Sequence, residues 1–152
     1  MDVNLIKQSA IFADLDEQEL ERIAEVCQEQ KFQSAQTIFK EGDPGNRLYI
    51  IAEGEVRISR QVPGSGEEAL TVLKEGSCFG EMAVFDRSDR STDAIANKDC
   101  RLITITRSDF EMLLDFDRDL AYKVLWSVVR LLSERLRITN DNLRSFLAMS
   151  MF

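Results

Sequence analysis

The apolar residues of this chain change their period along its length, and that change limits the folds open to it. Between Phe32 and Ile105 they recur with period two, in short runs rich in β-branched and aromatic residues: Thr37-Ile38-Phe39, Leu48-Tyr49-Ile50-Ile51 and Val56-Arg57-Ile58. Turn-forming clusters separate the runs, among them Gly42-Asp43-Pro44-Gly45-Asn46, Glu53-Gly54-Glu55, Pro63-Gly64-Ser65-Gly66 and Glu75-Gly76-Ser77. Short strands reversed this often predict an all-β roll or barrel. On either side the period becomes helical. Asp16 and Glu19 form a capping box ahead of Leu20, Ile23, Ala24 and Cys27, which predicts a helix over 16–27, with Phe12 and Leu15 as apolar contacts just before it. After the strands, Ser108 is placed to cap a short helix through Leu114.

A longer helix begins near Arg118, with no Gly or Pro from there to the end of the chain. Some thirty residues at about 1.5 Å each give roughly 45 Å, longer than the roll it would flank. Leu120, Val124, Val128, Leu131, Leu132, Leu136, Thr139, Leu143 and Phe146 fall on one broad face. That stripe requires a cover, and homodimerisation through this helix supplies one; folding back onto the roll is the alternative. Trp126 reads as a core or dimer anchor, and Met149 and Met151 as a frayed tail or an apolar docking patch. The expected architecture is one domain over 1–152, mainly β with flanking α: a helical lead-in over 1–31, a jelly-roll-like β-roll (double-stranded β-helix) over 32–106, and C-terminal helices over 107–152.

With 27 acidic against 19 basic residues the chain carries a net charge of −8, the wrong sign for a surface that attracts a phosphate backbone, so no direct nucleic-acid partner is expected. Three scattered cysteines suggest neither a disulfide framework nor a zinc site; Cys78 reads as core packing. The absence of histidine removes the commonest general base and metal ligand, so neither an enzyme nor a metal site is expected. Met-Asp-Val-Asn-Leu is not a signal peptide and no run approaches the ~18 apolar residues of a membrane span, so the expected location is the cytoplasm.

The chemically informative stretch is Cys78-Phe79-Gly80-Glu81-Met82-Ala83-Val84-Phe85, followed by Asp86-Arg87-Ser88-Asp89-Arg90-Ser91. Gly80 lets the backbone pass close to a ligand, and the residues after it suit a helical turn whose free N–H groups face an anion. Arg90 offers a planar fork of donors for phosphate oxygens, with the Ser91 hydroxyl beside it. Glu81 cannot favour a phosphate, but it can accept from a sugar hydroxyl. Together the two describe a cyclic mononucleotide; an ordinary surface ion pair is the plainer alternative.

This ordered set resembles the cyclic-nucleotide-binding domain family over nearly the whole chain. Phe12 through Leu20 is similar to the family's first helix, Ile38-Phe39-Lys40-Glu41-Gly42-Asp43 to its first roll strand and turn, and Gly45 through Ile51 with Gly54-Glu55-Val56 to its central hairpin. Residues 79–91 resemble its phosphate-binding cassette, with the Glu-to-Arg spacing kept. The resemblance implies that Glu81 holds the ribose 2′-hydroxyl and that Arg90 neutralises the cyclic phosphate. It also implies that Ser91 adds a contact, that Gly80, Met82 and Ala83 form the close backbone, and that Ile58 and Leu70 line the pocket. In catabolite-activator-like members a Thr-Ser pair on the long helix reads adenine; here the pair is Thr139-Asn140, which keeps base contact and leaves cyclic AMP the favoured ligand over cyclic GMP. Asp89 and Asp93 depart from the family pattern, and each either pairs with Arg90 or points to solvent, as alternating strand residues do.

The implied function is a regulatory sensor that transmits nucleotide binding through its C-terminal helix to a downstream protein partner, with no cofactor beyond the regulatory nucleotide. The alternative is a ligand-free dimerisation or interaction module with a degenerate site, for which Asp89, Asp93 and the net charge speak.

Overall fold

The computed structural model describes residues 2–151. Helix α1 (Val3–Lys7) is capped by Asp2, and α2 (Glu17–Val26) starts at the capping box expected from sequence, Asp16 bonding the Glu19 amide while the Glu19 side chain returns to Asp16. Eight strands follow: β1 (Gln28–Phe32), β2 (Thr37–Phe39), β3 (Arg47–Glu53), β4 (Val56–Val62), β5 (Gly66–Leu73), β6 (Cys78–Phe79), β7 (Asp93–Ala96) and β8 (Cys100–Thr106), with helix α3 (Glu81–Asp86) between β6 and β7. Helices α4 (Arg107–Phe116) and α5 (Arg118–Ser150) complete the chain.

The strands form two antiparallel four-stranded sheets, ordered β1-β8-β3-β6 and β2-β7-β4-β5, as the jelly-roll-like expectation requires. Inside the roll lie Tyr49, Ile51, Val56, Phe79, Ala94, Ala96 and Leu102. The other face of the first sheet turns Leu48, Ile50, Ile103 and Ile105 onto Phe12, Leu20, Ile23, Phe110, Leu120 and Val124 of the helices. This explains why Leu48-Tyr49-Ile50-Ile51 is a continuous apolar run: β3 is buried on both faces, one against the roll and one against the helices.

Four details differ from the sequence reading. The roll begins at Gln28, within the expected helical lead-in, because β1 is a half-exposed edge strand of polar residues whose pairing with β8 no apolar alternation announces. Helix α1 falls within that lead-in but is too short for a periodic signal of its own, so the spacing marks only the helix over 16–27 there. Thr106, not Ser108, caps α4, its hydroxyl accepting from the Asp109 amide at 3.2 Å. Finally, the broad stripe of α5 divides along its length: Leu120, Val124 and Val128 are buried against the domain, while Leu132, Leu136, Leu143 and Phe146 further along are exposed. Trp126 is exposed on the outer side, as are Met149 and Met151 at the end. Among the described residues no helix is long and apolar enough to cross a membrane, and no cluster of three potential metal ligands exists. Cys27, Cys78 and Cys100 are free thiols; burial pushes the Cys27 thiol up to about 12 and raises the Cys78 thiol as well, which makes both poor nucleophiles.

Candidate functional site

The cassette is built around Gly80, which joins β6 to α3 with φ of +76°, a left-handed conformation that suits glycine. A Cβ there would also stand 2.7 Å from Arg90 Nη1, so both backbone angle and space select glycine. Gly45 plays a matching role from the β2–β3 loop, where any side chain would collide with Ala83 of α3. The loop bearing Arg90 is tied to that same region, the Arg90 amide donating to Asp43 O and the Gly42 amide to Arg90 O, both at 2.8 Å.

Arg90 is 5% exposed and its guanidinium turns inward. Nη1 donates to Gly80 O at 2.8 Å and Nη2 to Arg47 O at 2.6 Å, and Cζ lies 4.2 Å from the Phe39 ring centroid. Beneath it Phe39, Tyr49 and Phe79 form an aromatic floor, with Tyr49 and Phe79 stacked at 5.0 Å. Arg90 Nε is buried without a partner. Burial lowers the Arg90 pKa from its usual value, opposed by Tyr49, Glu81 and Asp43, yet no carboxylate among the described residues pairs with it. A buried cation held by neutral carbonyls, with no counter-charge bonded to it, is costly.

Glu81 opens α3 and is buried too, its carboxylate bonded to the guanidinium of Arg135 on α5. Sequence reasoning missed Arg135; its one signal was position, a helical turn before Thr139, whose hydroxyl donates to Arg135 O at 2.9 Å. The aromatic floor was missed as well, since each ring reads as ordinary core. Gly80, Glu81, Ala83 and Arg90 converge on the cassette, whereas Met82 and Ser91 face solvent. Ile58 packs against the roll interior, while Leu70 is exposed where the β4–β5 register shifts. Thr139 and Asn140 lie on the exposed part of α5. Asp93 is neither solvated nor paired with Arg90: it is buried and accepts from the Glu41 amide at 2.8 Å. Asp89 is exposed and bridges through its backbone to Pro44.

Residues 29–117 match the family described as "Cyclic nucleotide-binding domain". The chain belongs to that family. Its match to the CRP-like cAMP-activated global transcriptional regulator of Mycobacterium tuberculosis is 30% identical over 139 residues, covering 91% of this chain and 60% of the relative. Among solved structures, the N-terminal domain of a transcriptional regulator from Streptomyces coelicolor A3(2) is similar at TM-score 0.79 and 30% identity, covering 91% of this chain and 94% of that one. The regulatory domain of Toxoplasma gondii PKA, solved with cAMP, is similar at TM-score 0.68 and 30% identity, covering 73% and 42% respectively. The domain spans about three-fifths or less of the curated relatives it matches first, at 60%, 60% and 50% of their lengths.

Proposed function

We propose that this cyclic-nucleotide-binding domain is a non-enzymatic cytoplasmic sensor for a cyclic mononucleotide, cyclic AMP in preference to cyclic GMP, and that it signals through α5. The observation that carries the reading is Arg90: a buried guanidinium with an unpartnered Nε and only neutral acceptors, above an aromatic floor. A cyclic phosphate supplies the missing negative charge. Glu81 accepts from the ribose 2′-hydroxyl, Ser91 adds a donor to the phosphate, and Gly80, Met82 and Ala83 give the close backbone. Ile58 and Leu70 flank the base. Neither Asp89 nor Asp93 pairs with Arg90, which supports leaving that guanidinium for an anion.

The exposed face of α5 supports a homodimer. Tyr122, Leu125, Val129, Leu132, Leu136, Thr139, Leu143 and Phe146 alternate at spacings of three and four, the seam of a two-stranded coiled coil. All but Thr139 are large exposed apolar side chains. In a parallel pair Arg135 flanks that seam and faces the partner's Asn140, five residues on. Thr139 of one protomer and Asn140 of its partner then meet the base from a closed helix pair. Ligand that touches both roll and helix favours the arrangement bringing them together, which is the differential contact a switch needs.

Calorimetric titration tests the reading. Cyclic AMP binds the wild type and Arg90→Ala binds it about 10- to 150-fold more weakly, the equivalent of one charge-assisted phosphate contact. Equal binding by wild type and Arg90→Ala, or no binding of either nucleotide, overturns it and restores the interaction-module alternative.

A further inference from the structure

A groove of about 770 Å³ lies behind the cassette, between Arg47 at the start of β3, Arg87 after α3, and one face of α4. Its two ends differ. At one end the α4 N-terminus, Arg107 and Arg47 are all positive in sign. Arg87 is neutralised by Glu111, with Nη2 at 3.0 and 3.1 Å from its oxygens. Arg47 and Arg107 meet only neutral acceptors, Gln28 Oε1 at 3.3 Å and Gly45 O at 3.4 Å. Two guanidiniums without a carboxylate partner thus line one end of the same groove. At the other end Met112 and Phe116 project from α4, 60% and 86% exposed, with Asp115 beside them.

We propose that this groove docks an acidic and apolar segment of a partner protein. One or two carboxylates of that segment lie against Arg47 and Arg107. An apolar side chain about 8–13 Å further along, the rise of the five to nine helical residues from Arg107 to Met112 and Phe116, covers those two. Asp115 fixes the direction, because it repels an acidic residue from the apolar end and leaves the arginine end as the place for it. A nucleic acid is a poor occupant, since Glu111 and Asp115 lie on the same wall and the net charge of the chain is negative. The surface goes beyond the nucleotide reading and shares no ligand contact with it.

The test is selection of a randomised peptide library on the full chain, with and without cyclic AMP. Enriched peptides carry Asp or Glu separated from Leu, Phe or Met, and a synthesised winner binds at least about tenfold more weakly to Arg107→Glu and about fivefold more weakly to Phe116→Ala. A Lys-for-Glu version of the winner recovers binding to Arg107→Glu, which a merely structural loss would not allow. Melting curves establish that both variants fold. The proposal is overturned if enrichment lacks acidic residues, if the winner ignores both substitutions, if millimolar inorganic phosphate displaces it, or if either variant abolishes self-association in sedimentation, which assigns the groove to a second copy. Loss of cyclic AMP binding with peptide binding intact breaks only the nucleotide reading.

Discussion

The two halves of α5 share one helix and little else. The first half buries Leu120, Val124, Ser127 and Val128 against the domain and is fastened by Lys123 to Glu19 at 2.6 Å, by Arg130 to Asp14 at 2.7 Å, and at its start by Asp117 to Arg22. Beyond Leu131 every described side chain is exposed, and Arg135 makes the one side-chain hydrogen bond from that half to the rest of the molecule among the described residues. Helix propensity alone leaves a segment of this length marginal in water. The first half is therefore held by tertiary packing, whereas the second is held by whatever covers its seam and by Glu81. On the proposed reading, a ligand at Glu81 would act on the half that has least else to hold it.

This contrast sets the largest expected effect. Leu120→Ala, in the first half, costs about 2–5 kcal/mol of stability because it opens a cavity in a fully buried site. Leu136→Asp, in the second, leaves the monomer's core intact and converts the proposed dimer to monomer. Urea unfolding at two protein concentrations, with sedimentation alongside, measures both. Equal destabilisation of the core by the two substitutions breaks the comparison.

The sequence carried this contrast only in part. Apolar spacing showed that α5 is a long helix, with no Gly or Pro to break it, but one apolar stripe does not show how far along it the domain covers the helix. The cassette was more legible, because Gly80, Glu81 and Arg90 lie in one short stretch of sequence and their types carry the chemistry. What stayed hidden was long-range: Arg135 on Glu81 is separated from it by 54 positions, and a lone arginine on a helix is ordinarily a solvated one. Strand β1 was hidden for the opposite reason, being local but polar. The burial of Asp93 depends on the Glu41 amide, which no side-chain pattern reports.

Arg135 is the smaller second step. Arg135→Ala leaves a buried carboxylate at Glu81 without its partner, a cost of about 1–3 kcal/mol. It also frees the second half from the roll, so amide exchange around residues 132–140 accelerates while the first half keeps its protection. Arg135→Lys restores charge but not the planar fork and recovers part of both effects. Hydrogen exchange read by mass spectrometry checks this, and acceleration spread evenly over both halves would mean that Arg135 supports the whole helix and not its second half.

The smallest effect concerns the fastening of the first half at Asp14. Arg130 donates to the Asp14 carboxylate and holds its pKa below the ordinary value, with the Ser127 hydroxyl adding a weaker contact at 3.3 Å and desolvation opposing. A carboxyl depressed in the folded state contributes stability above its unfolded pKa of about 3.9, and that contribution is lost as pH falls through the folded value. Because the pair lies at the surface, its contribution is small and screened by salt. Arg130→Ala therefore returns the Asp14 midpoint towards the ordinary value in a carboxyl NMR titration, and the melting temperatures of wild type and variant converge at acid pH, below both midpoints. The same convergence follows from added salt at neutral pH. An Asp14 midpoint unmoved by the substitution would show that the first half of α5 is held by Leu120, Val124 and Val128 alone, and the ion pair would then have no part in the difference between the two halves.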